Sequence, residues 1–138
     1  MEWFILAILS ALSAAFVSIL AKIGLQGVDS HVATAVRAIV MVVFIVIFVI
    51  SIGKGPQLLH LTSRDMMFII LSGVAGALSW LFYFAALKLA DASKVAPIDR
   101  ASVLFVIILS ALFLGEKITI KTAAAGTLIF IGVLLLTL

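Results

Sequence analysis

Charged residues are scarce in this sequence, and cysteine is absent. Only 11% of the 138 residues are charged and 66% are hydrophobic, whereas an ordinary soluble domain is about 25% charged. So few charges cannot cover a surface that faces water, which predicts an all-α membrane protein with the lipid bilayer as its solvent. The missing cysteines exclude disulfides, thiolate metal sites and thiol catalysis.

The polar residues that are present form no recognisable catalytic, metal or cofactor pattern. The segment "GKG" at 53–55 lacks the spacing of a phosphate-binding loop, and His31 and His60 stand alone in predicted loops. The net charge is only +3, without a basic cluster interleaved with aromatic residues. We therefore predict a protein that is not an enzyme, needs no metal or cofactor, and does not bind nucleic acid.

Five apolar segments are each long enough to cross a bilayer core about 30 Å thick, which takes about 20 helical residues. The first has no basic leader and runs on to about Ala21, which favours a retained helix over a signal peptide. Only short loops remain between the segments, so we expect one transmembrane domain over 1–138. The predicted helices cover residues 3–22, 32–52, 66–87, 94–114 and 119–138.

Local signals mark several of these helix ends. Thr62 or Ser63 is expected to cap the third helix, with Asp65 in its first turn. Gly115 is expected to end the fourth, because glycine readily adopts the left-handed conformation that closes a helix.

The fourth helix begins with the polar stretch "KVAPIDRASV", residues 94–103. The charge-free run 101–114 is too short to span, so this stretch must be helical. With Ser93 as N-cap, Pro97 falls near the first turn, where its missing N–H does little harm. Asp99 and Arg100 then lie about one to two turns inside the helix and diverge by about 100°, so they do not pair with each other. Either they mark function, or Asp99 is stabilised by the helix dipole and Arg100 snorkels to headgroups.

A further arginine lies about five residues inside the second predicted helix. Helices 2 and 4 begin on the same side of the membrane, because two crossings separate them. Arg37 could therefore meet Asp99 at a similar depth. The alternative is that Arg37, like Arg100, snorkels to the headgroups.

Small, hydroxylated and aromatic residues follow helical spacing on two segments. They indicate either close helix packing or the wall of a cavity. The stripe on helix 1 consists of Ser10, Ala14 and Ser18, and that on helix 3 of Ser72, Gly76, Ser79 and Tyr83. Beside the second stripe lies an aromatic cluster of Trp80, Phe82, Tyr83 and Phe84, deeper than the interfacial position usual for Trp and Tyr.

The run "SKVAPIDRASVLFVIILSALFLGEKIT", followed by "AAAGTLIFIGVLLL", resembles the EamA domain of the drug/metabolite transporter superfamily. It is most similar to half-size bacterial and archaeal members with five helices. The end of helix 1, "AKIGL", and Arg37 in helix 2 also fit. The resemblance implies one EamA-type half-transporter in a prokaryotic cytoplasmic membrane, which moves small metabolites or drugs by alternating access. The small multidrug resistance members carry a glutamate inside helix 1; here Glu2 is terminal.

The basic residues of the loops are nearly balanced between the two sides of the membrane. One side holds Lys54, Arg64, Lys117 and Lys121, and the other Lys22, Lys88 and Lys94, joined by Arg37 and Arg100 if these snorkel. The positive-inside rule then fixes no single orientation. Because full-length members contain two inverted halves, we predict an antiparallel homodimer. The alternatives are a parallel dimer and a non-transporting membrane subunit that packs with a different half-size partner.

These considerations give a set of candidate residues for substrate binding or coupling and a set of partners. The partners are a second copy of the chain, the lipid bilayer and a small molecule whose identity the sequence does not name. The candidate residues are Asp99, Arg37, Arg100, Trp80, Tyr83, Ser10, Ser18, Ser72 and Ser79.

Overall fold

A computed structural model describes residues 2–137, apart from the side chain of Thr137, as helices joined by short turns. The predicted end of the last helix at 138 lies outside the described residues. The chain forms two compact units, Met1–Leu20 with Ala90–Leu138 and Ala21–Leu89. The α-helices are α1 (Glu2–Gly24), α2 (Ser30–Ser51), α3 (Ser63–Leu89), α4 (Ala92–Asp99), α5 (Ser102–Leu114) and α6 (Ile120–Thr137), with a 3₁₀ turn at Gly55–Leu59.

The helices have the length and composition of membrane spans. Within the described residues α1, α2, α3 and the combined segment Ala92–Leu114 are each long and apolar enough to cross a bilayer, and α6 is a shorter apolar helix. Large apolar side chains point outward along them; Phe44 is 71% exposed and Phe113 81%. Exposed apolar surface of this extent is not found on water-soluble monomers. The chain is an integral membrane protein.

Helix ends follow the chemistry of single side chains. The Thr62 hydroxyl accepts from the backbone N–H of Asp65 at 3.2 Å, and the Asp65 carboxylate accepts from the Thr62 N–H at 3.3 Å. This reciprocal cap confirms the predicted capping residue Thr62, although α3 begins at Ser63, three residues before the predicted start at 66. Gly115 ends α5 with φ 68°, also as predicted. At α2, hydrogen bonds from the backbone N–H groups of Val32 and His31 lower the pKa of the Asp29 carboxyl.

The fourth predicted span, 94–114, corresponds to one membrane-length segment, Ala92–Leu114, whose helix is interrupted. The stretch is helical as expected, but α4 begins at Ala92, with Asp91 in place of Ser93 at its N-cap, and ends at Asp99. Pro97 therefore lies inside α4, where it cannot donate a backbone hydrogen bond. After it the chain tightens into 3₁₀-type turns, with the N–H groups of Ala101 and Val103 bonding carbonyls three residues back. The helix resumes at Ser102 as α5.

In the unit Ala21–Leu89, α2 packs against α3. The buried residues of α3 are Tyr83, Phe84 and Leu87, and Leu87 is completely inaccessible. Two lysines tie the polar end of this unit together, since Lys22 Nζ donates to the Leu87 carbonyl and Lys88 Nζ to the Val28 carbonyl, both at 2.6 Å. Leu87 lies in the last turn of α3, so its carbonyl has no partner within the helix and Lys22 satisfies it. Val28 lies in the turn before α2, and Lys88 satisfies its carbonyl.

In the other unit, α4 and α5 both pack against α6. The helices approach closely at Gly126, which is buried. A Cβ placed there would lie 3.0 Å from both Ile107 Cδ1 and Leu104 Cδ2. At Gly76, where the sequence suggested a close contact, a Cβ would meet no atom of the described residues within 4 Å. The glycine that sets a helix separation is therefore on α6 and not on α3.

Replacing Gly126 by leucine is expected to lower the free energy of unfolding in detergent by about 1–3 kcal/mol, because the added side chain must displace Ile107 and Leu104. The matched control is Gly73→Leu on α3, where a Cβ meets nothing within 4 Å and leucine has the better helix propensity. Thermal unfolding of both variants checks this. Equal stability of the two would contradict a tight α5–α6 contact.

Candidate functional site

A cavity of about 510 Å³ opens in the unit that contains α4, α5 and α6. Small residues of α1 form one wall, the end of α4 a second, and one face of α6 a third. On α1 and α6 the lining positions recur at intervals of three and four, the spacing of a single helix face. The lining residues are Ala11, Ala14, Ala15, Ser18, Ala96, Pro97, Arg100, Ile129, Gly132, Val133 and Leu136.

The chemistry of this cavity is apolar with one cation. Arg100 is its charged lining residue, and it lies in the turn that separates α4 from α5. Ser18 is buried, and its hydroxyl donates to the Ala14 carbonyl at 3.0 Å, one turn back in α1. Pro97 presents its ring to the same cavity. The interruption of the fourth predicted helix thus places Arg100 at a wall made mostly of small and alkyl residues.

A second grouping of candidate residues lies between α2 and α3. The Arg37 guanidinium carbon is 3.5 Å from the centroid of the Trp80 ring and 5.7 Å from that of Phe84. Arg37 is seven residues beyond the start of α2, about 10 Å along the helix. A guanidinium over an aromatic face is stabilised by the ring quadrupole. This contact accommodates a charge on the inner face of a membrane helix.

The aromatic residues around Arg37 also contact one another. Trp80 meets Tyr83 edge to face, with centroids 5.5 Å apart, and Phe84 at 5.8 Å. Tyr83 and Phe84 are buried, while Trp80 is half-buried. Phe82, on the opposite face of α3, is 72% exposed. Of the four residues in the predicted aromatic cluster, three therefore pack together and Phe82 does not.

The predicted candidates divide into four groups. Ser18 and Arg100 line the cavity, and Arg37, Trp80 and Tyr83 form the arginine–aromatic cluster. Asp99 ends α4, half-buried, and is not a lining residue. Asp99 and Arg37 belong to different units, so their pairing stays a prediction. The remaining three, Ser10, Ser72 and Ser79, are exposed.

Sequence reasoning missed most of the cavity wall. The contributions of α6, including Gly132 and Val133, were not anticipated, although "IFIGVLLL" places a glycine in the middle of a branched apolar run. On α1 the alanines at 11 and 15 extend the small-residue stripe and could have been found from its spacing. Small side chains leave space only when a neighbouring helix lies opposite, and that depends on helix packing.

The comparison with known families decides the class of this protein. Residues 1–138 match the EamA-like transporter family. The chain belongs to this family. Over 135 residues it is 39% identical to a protein of Sinorhizobium sp. described as "Uncharacterized transporter in cobO 3'region", covering 98% of this chain and 96% of that protein. No solved structure matches the chain.

Family membership confirms the resemblance seen in "VAPIDR" and the segments that follow it. It also agrees with the prediction of a protein that is not an enzyme. This EamA-like chain is thus a membrane protein of transporter type, with a cavity beside an interrupted helix and an arginine held on aromatic rings.

The Arg37–Trp80 contact predicts energetic coupling between the two residues. In a double-mutant cycle, Arg37→Gln and Trp80→Leu should interact by about 0.5–2 kcal/mol in the free energy of unfolding. The matched control is Phe82→Leu, on the same helix but facing outward, which should be additive with Arg37→Gln. Equal coupling to both would contradict the stacking. A third cycle with Asp99→Asn tests whether the edge of the same guanidinium pairs with that carboxylate.

Proposed function

We propose that this chain is a transporter subunit that moves small metabolites or drugs across the cytoplasmic membrane of a prokaryote. Membership of the EamA-like family supports transport in general. The observation that carries the proposal is the cavity of about 510 Å³ beside the turn between α4 and α5. Interrupted helices next to a polar group are a recurrent way of building substrate sites in secondary transporters.

The working unit in this proposal is an antiparallel homodimer. If α6 crosses the membrane together with the four longer segments, the chain makes five crossings, and its termini lie on opposite sides. A full-size transporter needs two inverted halves. Two copies of one half provide them only if the chain inserts in both orientations. The near-equal division of lysine and arginine between the loops supports such insertion.

Alternating access would expose the cavity to each side of the membrane in turn. The junction at Arg100 and Ala101, where regular α-helical bonding gives way to 3₁₀ turns, is a place where the fourth span can change direction. We infer that Asp99, at the end of α4, pairs with Arg37 at a similar depth in the bilayer. Stacking on Trp80 uses the face of the guanidinium and leaves its N–H edge for a carboxylate.

Transport is tested by filling the cavity. Gly132 lines it, and a Cβ there meets nothing within 4 Å, so a larger side chain enters open space. Purified protein in liposomes should give saturable uptake of at least one solute from a panel of radiolabelled amino acids, carboxylates and organic cations. Gly132→Phe should abolish that uptake by occupying the site.

The matched control for this experiment is Gly73→Phe, because Gly73 also has open space around it but does not line the cavity. It should retain uptake, and both variants should keep the assembly state of the parent protein. A parent protein that moves none of the panel, or uptake that survives in Gly132→Phe, would favour a non-transporting subunit that packs with a different half.

Dual topology is tested with a pair of C-terminal reporters, one active only in the cytoplasm and one only outside it. Because the basic residues are balanced, both reporters should give signal. Two lysines added to the loop between α2 and α3 should silence one of them. A single active reporter on the unaltered chain would rule out the antiparallel homodimer.

A further inference from the structure

The cavity carries charge of one sign. Among the described residues, its eleven lining residues include Arg100 and neither an aspartate nor a glutamate. Asp99, the neighbouring residue in the chain, is not part of the lining. Arg100 is exposed at the surface of the described chain. In surroundings of low dielectric constant an unpaired positive charge repels cations and attracts anions far more strongly than it does in bulk water.

The rest of the wall is almost entirely alkyl. Alanine, isoleucine, valine, leucine and proline side chains with one glycine provide nine of the eleven lining positions, and the other two are Ser18 and Arg100. The Ser18 hydroxyl donates its hydrogen to the Ala14 carbonyl, so that hydrogen is not offered to a ligand. Arg100 is left as the side chain that orients what binds, and the alkyl wall favours an apolar body.

We propose that the cavity binds a small organic anion with an apolar body, of the class of aromatic or short aliphatic monocarboxylates. The guanidinium suits a carboxylate, because its planar fork donates two parallel hydrogen bonds. The volume of about 510 Å³ lies within the usual range for small-molecule sites, about 300–1,000 Å³. A two-chain phospholipid is too large to be enclosed by it. As an assignment of transported substrate class, the inference rests on the proposed transport function.

The absence of cysteine allows this inference to be tested by chemical labelling. Ala96 lines the cavity one turn before Arg100, and the Arg100 N–H donates to its carbonyl at 3.2 Å. An Ala96→Cys variant places one thiol beside the guanidinium. The matched control is Ser93→Cys, exposed on the same helix and outside the cavity. Each is modified with anionic sulfonatoethyl methanethiosulfonate and with cationic trimethylammonioethyl methanethiosulfonate, in nanodiscs of phosphatidylcholine.

Relative to the Ser93→Cys control, the thiol at position 96 should react about tenfold faster with the anionic than with the cationic reagent, the size expected from one nearby unit charge in partly aqueous surroundings. Arg100→Gln should bring the ratio back to that of the control, and Arg100→Lys should preserve it. Benzoate should slow the modification and benzylamine should not. Equal rates, a faster cationic reagent, or protection by benzoate that persists in Arg100→Gln would overturn the proposal.

Changing the lipid distinguishes a soluble carboxylate from a lipid headgroup as the source of the bound anion. Protection of the thiol at position 96 by phosphatidylglycerol, without added benzoate, would overturn a soluble carboxylate and assign the charge to a headgroup. With neutral and anionic lipid alike, only added benzoate should protect. Gly132→Phe should remove the protection by benzoate, because the phenylalanine side chain fills the cavity.

Failure of this inference and failure of transport give different results. Uptake of radiolabelled benzoate that depends on Arg100 supports both. Protection of the thiol at position 96 by benzoate, without any uptake, would support the anion site and contradict the transport function. Uptake of organic cations in preference to carboxylates, with no effect of Arg100→Gln, keeps transport and overturns the anion site.

Discussion

Hydrocarbon offers no hydrogen-bond partners, and that constraint shapes the polar groups of this protein. Every backbone N–H and C=O in a span must be satisfied by the chain itself, which is why the apolar segments are helical. The same holds for hydroxyls in the helices. Ser13, Ser18 and Thr34 each donate to the carbonyl four residues earlier, as do Ser51 and Thr127. These side chains satisfy themselves within one helix.

Arg37 and Arg100, two arginines within the membrane-length segments, meet the constraint in different ways. Arg37 lies against Trp80 and Phe84, so its charge faces the negative surfaces of aromatic rings inside the protein. Arg100 lies where the fourth span is interrupted, at the edge of a cavity and exposed. One guanidinium is packed against aromatic rings, and the other belongs to an exposed side chain. Equal charges in similarly apolar segments thus acquire different chemistry from their neighbours.

Much of the fold could be predicted from sequence, because length and apolar composition identify membrane helices. Capping at Thr62 and the glycine at 115 were also predictable, since both signals are local. The interruption after Asp99 was not. Starting the helix two residues earlier, at Ala92, moves Pro97 from the first turn to an interior position, and sequence does not fix a boundary that closely. Arg37 and Trp80 were both identified, but their contact depends on the register between α2 and α3.

The glycine contact between α5 and α6 has a consequence for how this chain can vary. Gly126 is buried where Leu104 and Ile107 fill the space that a side chain would take. The side chains at positions 126, 104 and 107 therefore compete for the same space. A larger residue at 126 is compatible with the present helix separation only when 104 or 107 becomes smaller. Relatives of this protein can therefore keep the glycine at 126, or replace it by a larger residue together with a smaller residue at 104 or 107.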